Sequence, residues 1–128
     1  MSNSAGAVAS LFDLTGRVAL ITGGSGYLGS SFAEILAAAG ASVVVDSRQA
    51  ETADRVAGEL PVTGANTHYG VVLDQLDEDS LQAGFDAAVE AAGQVDVLIN
   101  NGQQGHALDL TDVTGEAFAK DLQNATGY

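Results

Sequence analysis

Arg17-Val18-Ala19-Leu20-Ile21-Thr22-Gly23-Gly24-Ser25-Gly26-Tyr27-Leu28-Gly29 decides the fold of this 128-residue chain, because its hydrophobic period changes in the middle. The run from Arg17 to Thr22 is continuously apolar at its centre, as expected for a parallel strand covered on both faces. Four residues rich in glycine follow. Leu28, Phe32, Ile35, Leu36 and Ala39 then recur at the i, i+4, i+7, i+8, i+11 spacing of one helical face, and Gly40 stands where a helix C-terminal glycine belongs.

The same alternation continues outward. Ser42–Val45 reads as a second strand on the strength of its β-branched valines. A helix over Glu51–Leu60 follows, with Ala53, Val56, Ala57 and Leu60 as its apolar positions and Pro61 as its stop. Thr67–Leu73 reads as a third strand. Asp77 or Asp79 can cap the next helix, which carries Leu81, Phe85, Ala88, Val89 and Ala92 and ends at Gly93. Val95–Ile99 is a fourth strand, and a last helix starts near Thr114 with Phe118, Leu122 and Ala125 on one face. Phe32 and Phe85 are expected in the core. The order β-α-β-α-β-α-β-α predicts a doubly wound α/β fold, a parallel sheet of about four strands flanked by helices with right-handed crossovers. Residues 1–10 are small and polar and read as a flexible N-terminus, leaving 11–128 as one domain.

Composition narrows the function. Seventeen acidic residues against four basic ones give a formal charge of −13, so Arg17, Arg48, Arg55 and Lys120 cannot build a phosphate-neutralising nucleic-acid surface. The absence of cysteine excludes disulfides, cysteine zinc sites and a thiol nucleophile. Neither a membrane span nor a signal peptide is legible, and a cytoplasmic protein is expected. His68 and His106 lack companion ligands for a metal. The acidic run Asp74, Asp77, Glu78, Asp79 lacks the glycine and distal glutamate of a calcium loop and is read as helix capping and solvation.

The glycine turn between strand and helix is the informative motif. A dinucleotide pyrophosphate needs close backbone approach, a tight turn and unpaired amides at a helix N-terminus, and Gly23, Gly26 and Gly29 serve those needs. Ser25, Tyr27 and Leu28 lie in the same turn. A phosphate loop of the nucleotide-triphosphatase type fails, because no Gly-Lys-Ser/Thr follows. Screening confines surface carboxylates to about 8 Å at physiological salt, so local geometry outweighs the acidic background.

From Leu11 to Tyr128 the chain resembles the short-chain dehydrogenase/reductase family, whose cofactor half is a Rossmann-type sheet. Leu11-Phe12-Asp13-Leu14-Thr15-Gly16-Arg17 resembles the family's lead-in, and Thr22-Gly23 the start of its cofactor turn. The resemblance implies that Asp74 binds the adenine amine, with capping of the following turn as its structural alternative. Val97-Leu98-Ile99-Asn100-Asn101 resembles the strand-end Asn-Asn-Ala-Gly motif, so Asn100, Asn101 and Gly102 border the cofactor, Asn100 bridging strand ends. Asn124-Ala125-Thr126-Gly127 resembles the segment whose asparagine belongs to the catalytic tetrad, although Asn124 also reads as a backbone-bridging residue.

The second strand's end bears on cofactor choice. Aligned on Gly40-Ala41, the family's acidic position falls on Ser47 with Arg48 following, which resembles the NADP type; a one-residue shift makes Asp46 an NAD ligand. NADP is favoured over NAD, and Arg48 as a solvated loop charge is the structural alternative.

Three departures stand out. Tyr27 takes the place of the middle glycine, and the Gly23, Gly26, Gly29 spacing matches the extended branch with its nucleotide-sugar epimerases; Asn100-Asn101 favours the shorter branch. Gly102-Gln103 replaces Ala-Gly. The catalytic serine and Tyr-x-x-x-Lys are missing: Ser31 and Leu73 stand four positions after Tyr27 and Tyr69, Tyr128 is the last residue, and Lys120 is the only lysine. The chain therefore reads as the cofactor-binding half of an NAD(P)-dependent oxidoreductase acting on a carbonyl/alcohol substrate, inactive alone. Family members are dimers or tetramers, and the resemblance leaves homo-oligomerisation open for this chain. A non-catalytic dinucleotide-binding or interaction module, which includes a half-domain that assembles with another chain, is the alternative.

Overall fold

The computed structural model describes residues 4–103 and 111–126, with the side chains of residues 4, 5 and 124–126 left aside. In chain order its elements are α1 (Ser4–Ser10), β1 (Val18–Thr22), α2 (Tyr27–Ala38), β2 (Ser42–Ser47), α3 (Ala50–Glu59), β3 (Tyr69–Val72), α4 (Glu78–Ala92), β4 (Val97–Asn100) and α5 (Gly115–Thr126). The four strands form one parallel sheet in the order β3-β2-β1-β4. The sequence predicted this doubly wound arrangement; α1 is an element the sequence reading did not assign.

β1 and β2 alternate their side chains between two covered faces. Ile21, Val43 and Val45 pack with Ala33 and Ala37 of α2 and Val56 and Ala57 of α3. Val18, Leu20, Val44 and Val71 form the opposite layer with Ala88 of α4. Because both faces are buried, β1 and β2 read as unbroken apolar runs rather than alternating ones.

Two strands are shorter at their starts than their apolar runs suggest, because side chains take over the ladder. The Thr67 amide donates to Ser42 Oγ (3.1 Å) and the Val43 amide to His68 Nδ1 (3.2 Å), so β3 begins at Tyr69. The ring's Nε2 lies 3.1 Å from the Pro61 carbonyl, so Nδ1 accepts while Nε2 donates, and His68 is a structural bridge. Likewise the Val18 amide donates to Asp96 Oδ2 (2.8 Å) just before β4.

The helix ends follow local chemistry. Gly40 has φ +98°, and the Gly40 and Ala41 amides donate to the Ala37 and Leu36 carbonyls, the double bond of a Schellman motif. Asp77 caps α4 by accepting the Asp79 and Ser80 amides, and Gly93 (φ +81°) closes it. Thr114 Oγ1 accepts the Ala117 amide at the start of α5.

The faces that α2 and α4 turn to the sheet correct the sequence reading. Gly29, Ala33 and Ala37 are the buried residues of α2, spaced by four. Leu28 and Ile35 face solvent, Phe32 is 39% exposed, and of the expected stripe only Leu36 packs on the core as a large side chain. In α4 the buried residues are Gly84 and Ala88, and Phe85 is 43% exposed. Neither phenylalanine is core. The reason is distance: a Cβ on Gly84 would stand 2.9 Å from the Leu73 Cβ and the Val72 carbonyl oxygen, so the helix approaches the sheet closer than any side chain at 84 allows.

Candidate cofactor-binding site

The C-terminal ends of all four strands converge on the glycine turn. Thr22 Oγ1 accepts the amides of Asn101 (3.0 Å) and Gly102 (2.9 Å), tying the end of β1 to the segment after β4. Asn101 Nδ2 donates to the Gly23 carbonyl (3.3 Å). The bridging role that the sequence reading gave to Asn100 is thus made by Asn101, while Asn100 is exposed. On the other side the Gly24 amide donates to Asp46 Oδ1 (3.0 Å) at the end of β2.

Within this frame the glycines are required by space. Gly23 has φ +65°, and a Cβ there would meet Gly102 Cα at 3.0 Å. A Cβ on Gly29 would overlap the Gly23 carbonyl oxygen, so Gly29 serves closure of the turn on the helix rather than helix–strand packing. The Gly26 amide donates to that same carbonyl (3.0 Å), and the Ser30 amide to the Gly26 carbonyl (2.9 Å) as the first bond of α2. Gly26 is the N-cap and no side chain caps the helix, so the terminus presents orphan amides of Tyr27, Leu28 and Gly29.

Beside the turn lies a cleft of about 210 Å³ lined by Gly23, Ser25, Asp46, Ser47, Arg48, Leu73, Asp74, Gln75, Gly102 and Gln103. Seven of the residues singled out in the sequence therefore share one wall system. Gly26, Tyr27, Leu28, Gly29, Asn100 and Asn101 stand around it without lining it, and Tyr27 is 92% exposed. Leu73, Gln75 and Gln103 were missed. Their signal was adjacency, since each flanks a residue already marked. Asn124 falls on α5, but its side chain is outside the described residues, as is all of His106.

The charges in the cleft differ in commitment. Asp46 is 4% exposed, and burial pushes its carboxyl above the usual carboxylate range, against the opposing pull of the turn amides. Its Oδ1 is engaged by Gly24. Asp74 does two things at once: its Oδ1 accepts the Leu76 amide (3.0 Å), the capping alternative, while the residue lines the cleft. Arg17 pairs with Asp96 and Arg55 with Glu59, whereas Arg48 is exposed at the cleft and makes no ion pair among the described residues. No three His, Asp or Glu among the described residues are placed to hold a metal ion, and no described helix is long and apolar enough to cross a membrane.

An uncapped helix terminus, a turn with no room for Cβ atoms and a neighbouring cleft fit a phosphate-bearing ligand. Comparison with known proteins agrees. The uncharacterized oxidoreductase UxuB of Bacillus subtilis (strain 168) is 39% identical over 101 residues, which cover 79% of this chain and 36% of that protein. The crystal structure of a 3-ketoacyl-(acyl-carrier-protein) reductase from Brucella melitensis complexed with NADH superposes with a TM-score of 0.73 at 34% identity, over 88% of this chain and 45% of that one. The Pseudomonas aeruginosa RhlG/NADP complex gives a TM-score of 0.75 at 30% identity, over 88% and 43%. The chain thus spans less than half the length of these relatives. The sequence model of the family described as short chain dehydrogenase matches residues 17–126, and the chain belongs to that family of oxidoreductases with an NAD(P)-binding fold.

Proposed function

We propose that this chain is the dinucleotide-binding half of a short-chain oxidoreductase and that it favours NADP. The observation that carries the reading is a cleft lined by Arg48, which makes no ion pair among the described residues, next to the glycine turn that leads into the uncapped α2 terminus. The amides of Tyr27, Leu28 and Gly29 would hold the pyrophosphate, with Ser25 beside them. Ser47 and Arg48 would take the adenosine ribose and its 2′-phosphate, a charge-assisted contact suited to a guanidinium. Asp74 would accept from the adenine amine through the oxygen that does not cap the turn. Asp46 acts through the turn, holding the Gly24 amide, and this commitment weighs against its serving as a ribose ligand. Asn101 and Gly102 support the turn from the β4 side.

Such a cofactor supplies hydride exchange with a carbonyl or alcohol carbon. The proton for that exchange needs a tyrosine with a lysine four positions on, and no such pair exists in the 128 residues. Binding without turnover is the expected behaviour of this chain.

Calorimetric titration tests the reading. NADPH should bind more tightly than NADH. Arg48→Ala should weaken NADPH by about tenfold or more and leave NADH within about twofold, because only the 2′-phosphate loses a charged partner. Failure to bind either dinucleotide, or equal losses for both, would overturn the assignment.

A further inference from the structure

The inner wall of the cleft contains a contact that the phosphate reading does not use. A Cβ built on Gly102 would overlap Oε1 of Gln75, and would stand 3.3 Å from Thr22 Oγ1. Gln75 follows Asp74 beyond β3 and lines the cleft with Gly102. The side chain thus occupies the seat that any residue larger than glycine at 102 would fill. This accounts for one departure noted in the sequence, where glycine replaces the alanine of the resembled Asn-Asn-Ala-Gly motif.

The polar groups around that seat are already engaged. Thr22 Oγ1 holds the Asn101 and Gly102 amides, and Asp74 Oδ1 holds the Leu76 amide. The Gln75 carboxamide is half-buried and makes no hydrogen bond among the described residues. A carboxamide offers both donors and an acceptor and no charge, so it matches a neutral polar group rather than a phosphate. The β2 and β3 ends that flank it are where Arg48 and Asp74 stand.

We propose that Gln75 is a cofactor-binding residue whose carboxamide, seated against Gly102, hydrogen-bonds a ribose hydroxyl of the dinucleotide's adenosine half. The inference rests on the cleft being the dinucleotide site. Titrations of the 128-residue chain with NADPH and with ADP-ribose test it. Gln75→Ala should weaken both by about tenfold, since both carry the adenosine half, and leave the ligand-free unfolding midpoint within about 2 °C. Gly102→Ala, which evicts the glutamine, should weaken both at least as much. The double variant should bind no worse than Gln75→Ala, because the added methyl then has room. Wild-type affinity for ADP-ribose in Gln75→Ala overturns the inference alone, as do losses that add in the double variant. A large drop in the unfolding midpoint of Gln75→Ala makes the residue structural and also overturns it. Absence of any dinucleotide binding by the wild type removes the cleft reading itself, and this inference with it.

Discussion

Val43-Val44-Val45 in β2 and Val97-Leu98-Ile99 in β4 are similar apolar runs with different fates. The three valines are fully buried, whereas Leu98 is 52% exposed and its neighbours are half-buried. β2 lies between β1 and β3, with α2 and α3 on one face and α4 on the other. β4 has β1 on one side and no second strand partner among the described residues. Position in the strand order, not composition, decides how much of a strand's apolar area leaves water.

Charge placed at the two sites gives the largest contrast. Val44→Asp should cost at least about 4 kcal/mol and unfold the chain, because an unpaired carboxylate would sit between two covered faces. Leu98→Asp should cost less than about 1 kcal/mol, since that side chain already meets water. Urea unfolding of both variants measures the difference, and equal costs would break the comparison.

Asn66 provides the next test. Its Nδ2 donates to the Ala37 and Ala41 carbonyls (3.0 Å each), and its Oδ1 accepts the Thr63 amide (2.7 Å), all in the β2 half. Asn66→Ala removes the side-chain partner of the Thr63 amide and of the Ala41 carbonyl, while the Ala37 carbonyl keeps the Gly40 amide, and should cost about 2 kcal/mol by the same measurement. A cost near zero would mean that water replaces the side chain, and that this half is less closed than its strands suggest.

The smallest effects concern pH, and they have opposite signs in the two halves. Asp96 beside β4 is held below its usual 3.8, first by the Val18 amide. Its stabilisation is present above 3.8 and disappears as pH falls through the lower folded value; Asp96→Asn should remove that acid-side loss. Asp46 at the end of β2 is raised above 3.8 by burial. The folded state then favours its protonated form, so its contribution is greatest below 3.8 and declines as pH rises toward the folded value. Asp46→Asn keeps an acceptor for Gly24 and should flatten that decline. Unfolding midpoints followed from about pH 3 to 7 separate the two slopes.

Much of the site was legible in advance because close backbone approach leaves a mark. Gly23 and Gly29 are glycine for lack of space, and no other residue type could have satisfied that turn. Asp46, Ser47, Arg48 and Asp74 followed from their places at strand ends. Asn101 could not be separated from Asn100 on sequence grounds, since the two differ only in which way a strand end twists. Gln75 was invisible because its role depends on a missing methyl 27 positions away.

The alternation of periods, the parallel order and the anion-ready turn were properties of the sequence itself, because hydrophobic spacing and glycine placement are local constraints that any fold of this chain must respect. Which helix face meets the sheet was decided only in three dimensions. Leu28, Phe32 and Phe85 have the more apolar spacing, but Gly29-Ala33-Ala37 and Gly84-Ala88 allow the closer approach. Dispersion and burial reward contact between backbones that can come near one another, and that distance exists only once strand and helix have been placed together.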